Sequence, residues 1–114
     1  LRPADKGRHI AASVANARAM VDDDPTVAWS LSDLAREAGL SRYQLVRQFA
    51  QATGLTPHAY LVQRRLHHAR RLMRAGTPLA EVAAASGFAD QSHLTRLFAR
   101  SFGTTPHAYL RAHR

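Results

Sequence analysis

The chain contains no cysteine. Disulfides, thiolate metal sites and cysteine nucleophiles are therefore excluded from the outset. No apolar run approaches the roughly 18 residues that a membrane-spanning helix needs, and no signal-peptide pattern opens the sequence. No segment alternates apolar and polar residues with the period of two of a half-buried strand. Seven histidines invite a metal, yet no His-Glu-x-x-His pattern is present, and His67 and His68 are adjacent and point to different helix faces. A strand–turn–helix nucleophile elbow and a phosphate-loop glycine pattern are also missing. Neither an enzyme nor a metal or other cofactor is expected. Lysine is nearly absent too: 15 of the 16 basic residues are arginine, against 8 acidic ones.

What is there is a chain of 114 residues, 46% hydrophobic, with a formal net charge of +8. That size suits one ordinary domain or two very small ones sharing a core. The apolar fraction is too high for a disordered tail. So much positive charge on so small a body favours a polyanionic partner. Arginine suits that role, because its planar fork grips phosphates and guanine edges in pairs. A basic protein-interaction module without base readout, meeting an acidic partner, is the competing reading. The sequence opens on Leu1 rather than Met, and is read as a piece of a longer protein in preference to a stand-alone small activator.

Proline and glycine act as punctuation, and between them apolar residues recur at helical spacing. A first helix is expected over about 5–21, with Ile10, Val14, Ala17 and Val21 on one face. The run Asp22-Asp23-Asp24-Pro25 ends it and reads as a solvated loop, since acids oppose the dipole at a helix C-terminus. Ser30, answered by Asp33, caps a short helix over 31–38 whose inner face is Leu31, Leu34 and Ala35. After Gly39, Ser41 and Gln44 form a capping box for a helix to about Thr53 that buries Leu45 and Phe49. Thr56 and Pro57 open a long helix to about Ala75, with Leu66, Ala69, Leu72 and Met73 as its buried stripe. Thr77-Pro78 starts a short helix over 79–86, with Val82 and Ala83 inward. Asp90 caps the next helix, which buries Leu94 and Phe98 and ends near Gly103. Thr105-Pro106 opens the last, to about Ala112. The fold class is all-α with about seven helices.

The hexapeptide Thr-Pro-His-Ala-Tyr-Leu occurs at 56–61 and again at 105–110. The duplication is wider than six residues. Residues 41–61 laid onto 90–110 are identical at 11 of 21 positions, among them Leu45/Leu94, Arg47/Arg96, Phe49/Phe98 and Gly54/Gly103. Upstream, Leu31, Leu34, Ala35 and Gly39 match Leu79, Val82, Ala83 and Gly87 at an offset of 48, so the second copy has one extra residue in its turn. Each copy reads as short helix, glycine turn, and second helix with a polar outer face, which is the grammar of a helix-turn-helix. The hexapeptide itself reads as structural. Thr and Pro start a helix, Tyr60 and Tyr109 pack back on their own lobe, and His58 and His107 sit where a neutral imidazole can assist the cap. The expected organisation is an N-terminal lobe over 1–55, a connecting helix over 56–76 and a C-terminal lobe over 77–114. A connecting helix of about 19 residues spans roughly 28 Å, near the ~34 Å of one duplex turn. The two copies can then address successive major-groove segments on one face of double-stranded DNA.

The paired units resemble the DNA-binding domain of AraC/XylS-type transcription regulators over about residues 8–113. The most specific stretch is AAASGFADQSHLTRLFARSFGTTPHAYL, with SLSDLAREAGLSRYQLVRQFAQATGLTPHAYL as the first copy. The resemblance implies two homeodomain-like, three-helical lobes whose third and sixth helices enter DNA. It implies a bacterial, cytoplasmic, sequence-specific regulator, with no membrane partner. A separate N-terminal effector or dimerisation domain and contact with RNA polymerase are implied as well. Carried over residue by residue, the first reading helix uses Arg42, Tyr43, Val46 and Arg47, and the second Gln91, Ser92, His93, Thr95 and Arg96. The chemistry agrees for most of them: Arg47 and Arg96 can fork onto guanine O6 and N7, Gln91 can pair with adenine, and Val46 and the Thr95 methyl can touch a thymine methyl. Arg47 and Arg96 can also be repeated because they brace each lobe, and Tyr43 can pack instead of meeting a phosphate. Weaker candidates for phosphate contact are Arg64, Arg100 and the helix starts at Ser30 and Thr77.

Overall fold

The computed structural model describes residues 3–113, with side chains from Gly7 onward; the Leu1 start lies outside them. Among the described residues, seven helices account for the regular structure: α1 (Pro3–Asp23), α2 (Leu31–Ala38), α3 (Arg42–Thr53), α4 (Pro57–Arg74), α5 (Leu79–Ala85), α6 (Gln91–Phe102) and α7 (Pro106–Ala112). Among the described residues there is no strand.

The helix starts are set by side chains. Ser30 and Asp33 form a reciprocal capping box at α2, and Ser41 and Gln44 form one at α3. The hydroxyls of Thr56 and Thr105 accept the amides of Ala59 and Ala108 at 3.2 and 3.1 Å. His58 and His107 are exposed beside these caps and take no hydrogen bond among the described residues. The hydroxyls do the capping that the imidazoles were expected to assist.

Packing divides the chain into two compact units, one running to Leu61 and the other starting at Val62. The boundary falls inside α4, directly after the first hexapeptide. The first unit packs Val14, Ala17 and Val21 of α1 against Leu34 and Ala35 of α2, Leu45 and Phe49 of α3, and Tyr60 and Leu61 of α4. The second unit uses Leu66, Ala69 and Met73 of α4 in the places of Val14, Ala17 and Val21, at an offset of 52, against Val82, Leu94, Phe98 and Tyr109. Phe49, Phe98, Leu45 and Leu94 are each 0% exposed. Each such side chain contributes about 1.5–3 kcal/mol by leaving water. In each unit the two helices of the turn motif are thereby fixed by one Leu and one Phe from the inner face of the second helix.

Four expectations are corrected. Asp22 and Asp23 lie within α1, and Asp22 is not merely solvated: its carboxylate accepts the Tyr60 hydroxyl hydrogen and lies 3.9 Å from Arg18. A buried partner outweighs the unfavourable helix dipole there. Asp24 alone forms the turn, accepting the amide and hydroxyl of Thr26 at 2.9 and 2.6 Å. Leu31 is 36% exposed, and Ala38 replaces it on the buried face of α2. Leu72 is only half-buried on α4. Finally, Pro78 rather than Thr77 is the N-cap of α5, with no side-chain cap bond.

Candidate nucleic-acid interface

With Leu45 and Phe49 directed inward, α3 turns the opposite face outward. Arg42, Tyr43 and Arg47 are exposed and Val46 is half-buried. Tyr43, at 73% exposure, does not pack. On α6, Leu94 and Phe98 are buried in the same way, leaving Ser92, Arg96 and Arg100 exposed and Gln91 and Thr95 half-buried. Arg42, Arg47, Arg96 and Arg100 have no hydrogen bond or ion pair among the described residues. Arg47 and Arg96 thus do not brace their units. Their guanidinium forks remain available for a ligand, which is what bidentate recognition of guanine or phosphate requires.

His93, grouped with these residues by sequence, is differently placed. It is half-buried, its Nδ1 accepts the Ala89 amide at 3.3 Å, and its ring meets Phe88 edge-on at 5.6 Å. Asp90 accepts the His93 amide at 2.8 Å and so caps α6.

The repeated tyrosines anchor the helices that follow each reading helix. Tyr60 stacks edge-on against Phe49 at 5.3 Å, donates to Asp22, and accepts the Arg18 Nε hydrogen at 3.1 Å. Burial first, and the bond to Asp22 second, push its phenol above the ordinary value. Tyr109 packs on Phe98 at 5.6 Å and accepts the Arg74 Nε hydrogen at 2.7 Å. Sequence reasoning placed both tyrosines correctly but gave no sign of their arginine partners, which lie 42 and 35 residues away.

The arginines of α4 separate by task. Arg74 serves Tyr109, and Arg70 lies 4.8 Å over the Phe102 ring, which also packs against His67. Arg65 is half-buried beside the Gly87 turn, and burial lowers its pKa. Arg64 and Arg71 are exposed. His67 is held below the usual histidine range by burial and then by Arg70, Arg64 and Arg71. His68 turns the other way, its Nδ1 lying 3.1 Å from the hydroxyl of the fully buried Ser86. Among the described residues, no three His, Asp or Glu side chains converge as a metal would need, and no helix is long and apolar enough to cross a membrane.

A family model described as a helix-turn-helix domain matches residues 34–112. The chain is similar to the HTH-type transcriptional regulator MtrA of Neisseria gonorrhoeae, 36% identical over 75 residues, which is 64% of this chain and 25% of that protein. It is also similar to the HTH-type transcriptional activator RhaS of Escherichia fergusonii, 40% identical over 76 residues, 66% of this chain and 27% of that protein. The chain therefore spans about a quarter of the length of the curated relatives it matches. Among solved structures, the DNA-binding domain of the global transcriptional factor AdpA, in complex with a target DNA, superposes with a TM-score of 0.83. That match has 30% identity over 89% of this chain and 92% of that one.

Proposed function

Because the chain belongs to the AraC-type helix-turn-helix family of transcription regulators, we propose that it binds double-stranded DNA sequence-specifically, as part of a bacterial regulator. The observation that carries this reading is the duplicated outward face of α3 and α6. Two capped helices, each pinned by a buried Leu–Phe pair, offer uncommitted arginines beside smaller polar and apolar side chains. In this reading Arg47 and Arg96 fork onto guanine, Gln91 pairs with adenine, and Val46 and the Thr95 methyl meet thymine methyls. Arg42, Tyr43 and Ser92 flank these contacts. Arg64, Arg100 and the start of α2 at Ser30 contact phosphates, with Thr77 in the same role ahead of α5. AdpA, a relative by structure, was solved on its target DNA.

The two helices address successive major-groove segments in this proposal. The site is then asymmetric and about 20 base pairs long. The whole regulator is proposed to act in the cytoplasm, to carry an effector or dimerisation domain outside the present sequence, and to contact RNA polymerase. Selection of bound duplexes from a random pool, followed by footprinting, tests the central claim. Recovered sequences with no preference over random DNA would rule out base readout.

A further inference from the structure

Both outward-facing helices begin with a side chain that reaches backwards. On α3 the third residue is Gln44, whose side-chain Oε1 accepts the Ser41 backbone amide at 2.9 Å while its backbone N–H donates to Ser41 Oγ at 3.1 Å. On α6 the third residue is His93, at the same register 49 residues on. Its amide donates to Asp90, as Gln44 donates to Ser41, but its ring reaches one residue further back, to the amide of Ala89. Counted from the turn glycine to the capping residue, the second copy is longer by one residue, Gly87 to Asp90 against Gly39 to Ser41. A ring nitrogen thus does for the longer turn what an amide oxygen does for the shorter one. The imidazole is also seated edge-on against Phe88, which is 6% exposed.

Helix periodicity separates His93 from its neighbours. At 3.6 residues per turn, positions i, i+1, i+4 and i+5 share a face. Arg42, Tyr43, Val46 and Arg47 occupy those positions on α3, and Gln91, Ser92, Thr95 and Arg96 on α6. Gln44 and His93 fall outside both sets.

We propose that His93 is a positioning residue and not a base reader: it latches the start of α6 to the Phe88–Ala89 turn and so fixes the angle at which Gln91, Ser92, Thr95 and Arg96 are presented. Its Nδ1 accepts an N–H, so the neutral ring carries its proton on Nε2. This rests on the DNA-reading role proposed above and removes one residue from it.

The test has two arms. Nitrogen-15 NMR of the free protein at about pH 8 reads the tautomer directly. Protonation at Nε2 is expected, and protonation at Nδ1 overturns the latch. The Ala89 amide should exchange slowly in the wild type and in His93→Asn, whose Oδ1 can stand in for Nδ1, and faster in His93→Ala. Equal exchange in all three overturns the latch. In the second arm, His93→Ala is expected to weaken binding to the selected duplex about fivefold to tenfold, the scale of one lost helix cap. Base preference should blur across several positions, and His93→Asn should restore it. A sharp loss at one base pair in both variants means that the ring reads a base, and the proposal falls. If the wild type itself shows no sequence preference, the DNA-reading role fails, while tautomer and exchange still decide the latch.

Discussion

Arg96 stands exposed on α6 with no partner among the described residues, so its removal leaves the fold of its unit nearly untouched. Arg96→Ala is expected to cost about 1–3 kcal/mol of binding to the selected site and to relax the choice at one base pair. Affinities measured on the selected duplex and on a panel of single-pair variants check this. Equal weakening on specific and random DNA would reassign Arg96 to a phosphate. At this scale the sequence was most legible where a residue's task depends on helical spacing alone. Leu45, Phe49, Leu94 and Phe98 could be placed in the core from their period. Asp22 could not be placed, because its partner Tyr60 is 38 residues away and no local pattern announces that bond. His93 enters the reading group through the family resemblance, which gives no sign of the bond its ring accepts from the Ala89 amide.

Among the elements, α2 and the glycine turns make the sharpest predictions. The Asp33 carboxyl is held below its ordinary value of 3.8, first by the bond from the Ser30 side chain and then by the Ser30 backbone. Around that pH the folded state holds fewer protons than the unfolded one. The stability this confers is present above 3.8 and lost as pH falls through the lower, folded value. Asp33→Asn should therefore narrow the difference in melting temperature between about pH 5 and about pH 2.5, followed by circular dichroism. Gly39 and Gly87 both hold a left-handed backbone, at φ of +71° and +88°. A Cβ at Gly39 meets nothing within 4 Å, while one at Gly87 would lie 2.9 Å from Arg65 Nε. Gly39→Ala is expected to cost about 1 kcal/mol and Gly87→Ala about 2 kcal/mol. Chemical denaturation of both, repeated in an Arg65→Ala background, should close most of the gap. Capping boxes were legible because donor and acceptor lie three residues apart. The packing of Arg65 against the Gly87 turn was not, since it joins two elements 22 residues distant in sequence.

For the molecule as a whole, the net charge of +8 and the proposed phosphate contacts predict steep salt dependence, with log K falling by about 0.9 per neutralised phosphate for each unit of log salt. Arg64→Ala and Arg100→Ala should each weaken binding evenly across sequences and lower that slope by about one. Titrations at several salt concentrations on specific and random duplex check both. The paired architecture was legible because the two copies are identical at just over half of 21 positions. The sharing of α4 was not, because apolar periodicity marks a buried face without saying which core covers it. Only packing reveals that Tyr60 and Leu61 serve the first core and Leu66, Ala69 and Met73 the second.

That division of α4 has an arithmetical result. Each unit needs a leading helix, a turn motif and a closing helix, four in all, yet two units are built from seven helices among the described residues. The closing helix of one copy is prolonged to become the leading helix of the next. Tandem growth by this rule adds three helices per copy instead of four, so the pattern behaves like a chain of links rather than a row of beads.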